Sequence, residues 1–153
     1  MDIENYKYIR SVFIEVGEKL KFKMGQSISD DKYLSGSVYF IEEGSARVIY
    51  KEDNKFKTIT KITKGSCVGA ASLIRSSACE NIRASTELLA YKISDKEFKN
   101  FYQNDSKFKE FFDSNFYESE LIHFADYLSK KLFNNPKSLS DLFAELENYF
   151  HTF

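Results

Sequence analysis

The chain has 153 residues and a net charge of −1, with 22 basic and 23 acidic side chains interspersed along it, so it lacks the basic block that a dedicated nucleic-acid face requires. Hydrophobic residues make up 42%, enough for one domain of this size to fold around a single core without staples. The two cysteines, Cys67 and Cys79, suit a reducing cytoplasm rather than a disulfide framework, and no stretch reaches the ~18 apolar residues of a membrane span or resembles a signal peptide.

From the amino terminus, Ile3, Tyr6, Ile9, Val12 and Phe13 recur at helical spacing and predict a helix with one buried stripe. From Glu18 the pattern alternates. Leu20, Phe22 and Met24 are expected on a core face, with Lys19, Lys21 and Lys23 toward water. Gly25 ends this strand, Ile28 begins a short second one, and residues 29–37 read as loop. The apolar run Val38 to Ile41 and the segment Ala46 to Tyr50, joined by Glu42-Glu43-Gly44, predict a hairpin. Lys51 to Phe56 reads as a polar loop, Thr58 to Ile62 alternates again, and Leu88 to Ile93 supplies a closing strand. Short strands with glycine turns, and no helical periodicity until residue 94, predict an antiparallel β-roll or jelly roll.

Helices are expected to follow. Ser94-Asp-Lys-Glu97 has the form of a capping box, with Phe98, Phe101 and Tyr102 as the apolar stripe behind it. A second start at Asn104-Asp-Ser106 opens a long run through Phe108, Phe111, Phe112, Phe116, Ile122 and Leu132, which Asn134-Asn-Pro136 ends. Ser138 or Ser140 then caps a last amphipathic helix carrying Leu139, Leu142, Phe143, Leu146 and Phe150. The expected organisation is a helix over 1–14, a β-roll over 15–93, helices over 94–133, and a terminal helix over 134–153.

The stretch from Gly65 to Ala84, Gly-Ser-Cys-Val-Gly-Ala-Ala-Ser-Leu-Ile-Arg-Ser-Ser-Ala-Cys-Glu-Asn-Ile-Arg-Ala, is the focus of the chain. Two glycines four apart, then small residues and a Ser-rich turn, suit a backbone that aims successive N–H groups into one concave spot, or a tight corner between strands. Cys67 and Cys79 with only His123 and His151 elsewhere make a poor zinc set, and both thiols read as small apolar fillers. The Gly65-x-x-x-Gly69 pair lacks the Gly-Lys-Ser/Thr ending of a P-loop, and no Gly-x-Ser-x-Gly or His-Glu-x-x-His is present. Nothing in the chain reads as an active site, and no metal or cofactor is implied.

Lys23-Met-Gly-Gln-Ser-Ile28, Val38-Tyr-Phe-Ile-Glu-Glu-Gly44, Gly65-Ser-Cys-Val-Gly-Ala-Ala-Ser-Leu73 and Ile82-Arg-Ala-Ser-Thr-Glu-Leu-Leu-Ala-Tyr-Lys-Ile93 occur in that order. The set resembles the cyclic nucleotide-binding domain, the sensing module of catabolite-activator-type regulators, cyclic-nucleotide-dependent kinases and gated channels. The resemblance spans about residues 15 to 112. It implies that residues 65–84 are a phosphate-binding cassette: a short helix facing a cyclic phosphate, an acid after the second glycine for the ribose 2′-hydroxyl, and an arginine about ten residues later for the phosphate. A buried phosphate needs such a cation, and a guanidinium supplies it in bidentate form.

In this chain Ala70 stands at the acid's place, and the arginine's place falls at Ser77 or Ala78. Arg75 is an early and poorly placed substitute, Glu80 would repel a phosphate, and Arg83 reads as a solvated strand charge. A hydrogen bond to a charged group contributes about 1.5–3 kcal/mol, so losing both partners weakens binding by roughly 10² to 10⁴. Cyclic AMP and cyclic GMP are therefore expected to bind weakly or not at all. The ligand-binding candidates are the degenerate cassette residues Gly69, Ala70, Ala71, Ser72, Leu73, Ser77, Ala78 and Cys79, which either receive an unknown small ligand or have closed up.

The phrase Val68-Gly-Ala-Ala-Ser-Leu-Ile-Arg-Ser-Ser-Ala-Cys-Glu-Asn-Ile-Arg-Ala-Ser-Thr86 further resembles the N-terminal cyclic-nucleotide-binding-like extension of bacterial peptide- or toxin-secretion ABC exporters. That resemblance implies a cytoplasmic, non-catalytic regulatory domain whose partners are downstream transporter domains or another copy of itself. Two alternatives stay open: a truncated transcriptional regulator of the cyclic-nucleotide type, and a structural dimerisation module pairing through Phe108, Phe112 and Phe116. Binding to nucleic acid and direct insertion into a membrane are not expected.

Overall fold

The computed structural model describes residues 3–30, 32–52, 54–75 and 81–114. In chain order the elements are α1 (Ile3–Val16), β1 (Glu18–Phe22), β2 (Ser27–Ser29), β3 (Ser37–Glu43), β4 (Ser45–Glu52) and β5 (Lys55–Thr63). They continue with β6 (Cys67–Val68), α2 (Ala70–Arg75), β7 (Ile82–Ala84), β8 (Leu88–Ser94) and α3 (Asp95–Asn104), after which residues 106–114 are again helical. Among the described residues the strand pairings are all antiparallel and form two four-stranded sheets, ordered β1-β8-β3-β6 and β2-β7-β4-β5. The predicted β-roll with flanking helices is the fold observed.

Three expectations about the strands are corrected. First, β3 and β4 do not form a hairpin, because they belong to different sheets. Gly44, at φ +85, turns the chain from one sheet into the other, and a Cβ there would lie 2.3 Å from the Glu87 carbonyl oxygen. The corner is held across the roll: the Ser45 amide donates to Thr86 Oγ1 at 3.0 Å, and the Ser85 amide donates to the Ser45 carbonyl at 2.8 Å.

Second, Lys51 to Phe56 is not an open loop. Lys51 pairs with Phe56 and Glu52 with Lys55, so β4 and β5 form the hairpin, and Asn54 takes the turn at φ 63. Asparagine tolerates that left-handed conformation. Third, β1 is an edge strand, so Leu20 and Phe22 are only half-buried, and Met24 lies beyond the strand's end, 74% exposed.

The helical stripe of α1 starts a turn later than its spacing predicts. Ile9, Val12 and Phe13 are buried, whereas Ile3 is exposed. Two interiors result from this arrangement. Ile28, Ile41, Ala46, Val48, Val68, Ile82, Ala84, Leu88 and Ala90 fill the roll between the sheets. A second core, between β3, β8 and the helices, is aromatic: Phe13, Phe40, Phe98, Phe108, Phe111 and Phe112 pack there with Ile9, Val12, Val38, Ile93, Ala70 and Leu73.

The capping box at α3 forms as the sequence implies, with the Glu97 amide donating to Ser94 Oγ at 3.2 Å and the Ser94 amide donating to Glu97 Oε2 at 2.8 Å. Asp105 separates α3 from the following helix. Its amide donates to the Phe101 carbonyl at 2.8 Å, while its Oδ1 accepts from the Phe108 amide at 3.0 Å. One residue thus closes one helix and caps the next. The expected continuation through Phe116, Ile122 and Leu132, the break at Pro136, the boundary at 133/134 and the terminal helix lie outside the described residues, as do His123 and His151. Among the described residues no helix is long and apolar enough to cross a membrane.

Candidate functional site

The cassette begins where β6 pairs with β3, Cys67 opposite Phe40 and Val68 opposite Tyr39. Gly69 then bends the chain at φ +93, and a Cβ at this position would meet the Ser37 carbonyl oxygen at 2.6 Å. Both the dihedral and the close approach demand glycine. The bend starts α2, whose first turn has no acidic residue and whose Leu73 amide reaches back to the Gly69 carbonyl at 3.4 Å.

Burial decides what α2 offers. Ala70 is 7% exposed, Ser72 1% and Leu73 4%, and Ala70 and Leu73 belong to the aromatic core with Val38, Phe40 and Phe98. The side chain at the position expected to hold a ribose hydroxyl is therefore a methyl group packed into that core. Ala71 continues the helix backbone. Ser77, Ala78 and Cys79 lie outside the described residues, so the structure brings Gly69, Ala70, Ala71, Ser72 and Leu73 together and is silent on the other three.

After the cassette the chain rejoins the roll at Asn81, whose carbonyl accepts from the Ile49 amide at 2.8 Å. Arg83 does not match the expectation of a solvated strand charge. It is half-buried, its Nε is buried without a hydrogen-bond partner, and its guanidinium lies over the Phe56 ring, 4.8 Å from the centroid. Cys67 packs against the aromatic core, and burial pushes its thiol well above the ordinary cysteine range. It is thus a weak nucleophile and a poor metal ligand. No group of residues among those described could hold a metal ion.

Two side-chain links escape sequence reasoning. Arg10 Nε and Nη2 donate to the two carboxylate oxygens of Glu42 at 2.8 and 2.7 Å, a bidentate pair between α1 and the end of β3. The Arg10 guanidinium holds the Glu42 carboxyl below the usual carboxylate range. The Tyr8 hydroxyl donates to Asp105 Oδ2, tying α1 to the joint between α3 and the next helix. Burial, then that hydrogen bond, raises the Tyr8 phenol to about 12. Separations of 32 and 97 residues leave no periodic signal for either link.

Comparison with known proteins matches this architecture. The family model of the cyclic nucleotide-binding domain matches residues 19–105. No curated protein matches the chain. Among solved structures, a cyclic nucleotide-binding-like protein from Brucella abortus is similar at 19% identity and a TM-score of 0.53, over 61% of this chain and 82% of that one. The c-di-GMP-responsive global regulator CLP of Xanthomonas campestris aligns at 15% identity and a TM-score of 0.65, over 84% of this chain and 66% of that one. The regulatory subunit of a cAMP-independent protein kinase A from Trypanosoma brucei aligns at 19% identity and a TM-score of 0.62, over 84% of this chain and 45% of that one. At these identities the structures speak for the fold, while the family match covers more than half of the residues: the chain belongs to the cyclic nucleotide-binding domain family.

Proposed function

We propose that this domain is a non-catalytic regulatory module whose phosphate-binding cassette is degenerate, so that cyclic AMP and cyclic GMP are not its ligands. The observation that carries this reading is Ala70, buried in the aromatic core at the position where the family resemblance puts a ribose-binding acid. A methyl group accepts no hydrogen bond, and a cyclic nucleotide seated there would leave its 2′-hydroxyl unmet. The fold itself does not oblige a chain to respond to cyclic AMP: one similar structure is of the regulatory subunit of a protein kinase A described as cAMP-independent, and another is of a regulator described as responsive to c-di-GMP.

In this reading the cassette residues Gly69, Ala70, Ala71, Ser72 and Leu73, with Ser77, Ala78 and Cys79, receive a small, nearly neutral ligand or a partner. Occupancy would be passed on through the core that Ala70 and Leu73 share with Phe98 and Phe108. The attached machinery is an ABC-type exporter, with this domain on its cytoplasmic side, or a second copy of the domain, a context supported by the likeness of residues 68–86 to exporter extensions. Titration calorimetry with cyclic AMP and cyclic GMP is expected to show no dissociation constant tighter than about 10 µM. A tighter one overturns the reading of the cassette. The coding sequence beyond Phe153 tests the exporter context separately, since membrane-spanning segments followed by a nucleotide-binding domain are required there.

A further inference from the structure

The outer face of the β2-β7-β4-β5 sheet carries a feature that the cassette does not explain. Register sets Ser27 opposite Arg83, Arg83 opposite Arg47, and Arg47 opposite Lys61, so four strands place these residues in one line. Their neighbours Ile82, Ala84, Ala46 and Val48 fill the roll. Alternation therefore turns Arg83, Arg47 and Lys61 outward. Arg47 and Lys61 are exposed, Arg83 is half-buried, and no described carboxylate pairs with any of the three. By the same register the face also holds Ser45, Thr63, Thr58 and Phe56, none of them acidic.

Like charges at directly opposed strand positions destabilise a sheet. Here two such oppositions stand side by side, Arg83 with Arg47 and Arg47 with Lys61. Phe56, 52% exposed at the same face, adds an apolar platform on which the Arg83 guanidinium rests. Among the described strands β5 ends the sheet, so the row lies at its edge.

We infer that this row is a docking surface for an acidic amphipathic helix of a partner protein. Adjacent strands are about 4.8 Å apart, so a matching partner must present carboxylates in steps of about 5 Å along a line across the strands. Carboxylates one turn apart on a helix repeat at about 5.4 Å and meet the requirement. Alternate side chains of an extended strand repeat at about 6.8 Å and do not. An apolar residue on the flank of that helix would rest against Phe56. A nucleic-acid face typically uses about six to ten phosphate contacts, whereas this row offers three cations. The inference is independent of what the cassette binds.

The test is fluorescence anisotropy of the full chain with a labelled, capped peptide of about 20 residues, carrying Glu at every fourth position and Leu beside it on an Ala background. Saturable binding is expected that weakens about tenfold in Arg47→Glu/Lys61→Glu and falls steeply as salt rises. The neutralising pair Arg47→Gln/Lys61→Gln is expected to show an intermediate loss, and it keeps the test decisive if the reversed pair fails to fold. Lys21→Glu/Lys96→Glu, on other exposed surfaces, is expected to leave binding unchanged. Equal binding by a scrambled peptide of the same composition, indifference to the Arg47 and Lys61 changes, or tighter capture of duplex DNA or phosphatidylserine vesicles by the same residues would each overturn the inference.

Discussion

The two interiors of this domain are built from different materials. Within the roll the buried residues are aliphatic, with Ile28, Ile41, Ile82 and Leu88 packed among Val48, Val68, Ala46, Ala84 and Ala90. Between the roll and the helices, rings carry the packing: Phe108 has its centroid 4.7 Å from Phe112, 5.4 Å from Phe101 and 5.5 Å from Phe98, and Phe13 stacks on it at 6.5 Å. The difference shows which body the cassette is attached to. Ala70 and Leu73 of α2 enter the aromatic core, not the roll. A displacement of α2 is therefore transmitted through the aromatic core, which Val38, Phe40 and Ile93 of the sheet share with α1, α3 and the helix after it.

The largest expected effect breaks the aromatic side alone. Phe108→Ala removes a ring that is fully buried and touched by four others, at a cost of about 3–5 kcal/mol in chemical denaturation. In the roll, Ile82→Val removes one methylene from a fully buried side chain, at a cost of about 0.5–1.5 kcal/mol. Hydrogen exchange sharpens the contrast. Phe108→Ala is expected to accelerate exchange across residues 95–114 with β4 and β5 still protected, and Ile82→Val to do the reverse. Uniform acceleration in both variants would mean that the two interiors act as one.

A smaller effect concerns the joint between them. Gly69→Ala forces a side chain into a left-handed conformation and drives its Cβ to 2.6 Å from the Ser37 carbonyl oxygen. Gly25→Ala is the matched control, at φ +83 with nothing within 4 Å of the added carbon. The control is expected to cost about 1 kcal/mol, from the backbone alone. Gly69→Ala is expected to exceed it by a further 1–2 kcal/mol or so, as β3 and β6 are pushed apart. Equal melting temperatures would show that α2 is free to shift away from β3, and that the cassette is loosely held.

How much of this was legible in the residues follows from the range of each signal. The Ser94 capping box and the closing strand over Leu88 to Ile93 are local signals, and each element stands where its residues predict. Strand partners are not local. Val38 to Ile41 and Ala46 to Tyr50 look like the arms of a hairpin, yet the glycine that joins them also changes sheet. The charged tip of the β4–β5 hairpin looked like a loop because Lys51, Glu52 and Lys55 are polar, although a hairpin tip in water has no need of apolar residues. At the site, the replacement of the expected acid by Ala70 is visible in the sequence, whereas the packing of its methyl group into the aromatic core rests on contacts with Val38, Phe40 and Phe98 that no local pattern encodes. The row of Arg83, Arg47 and Lys61 spans positions 36 apart at most in sequence and exists only once the register is known.

The smallest effect tests how α1 is tied to each side. Glu42, paired with Arg10, and Asp105, accepting from Tyr8, both have carboxyls held below their ordinary ranges, in each case chiefly by that hydrogen-bonded partner. A carboxyl depressed in the folded state stabilises it fully above the unfolded pKa, near 4 for both residue types, and loses that contribution as pH falls through the folded value. Stability is thus expected to be flat from about pH 5 to about pH 9 and to decline below about pH 4. Tyr8→Phe should flatten part of that decline by removing the largest of the interactions that hold Asp105 low, the Phe108 amide remaining, and Glu42→Gln should remove the share of the Arg10 pair while lowering stability at neutral pH. The two links reach different bodies, Arg10 the end of β3 and Tyr8 the joint after α3. If near-ultraviolet circular dichroism followed from pH 7 to 2 shows the aromatic signal persisting in acid in Glu42→Gln but fading early in Tyr8→Phe, then α1 is held to the helices more firmly than to the sheet. The opposite order would mean that α1 is held to the sheet more firmly than to α3 and the helix after it.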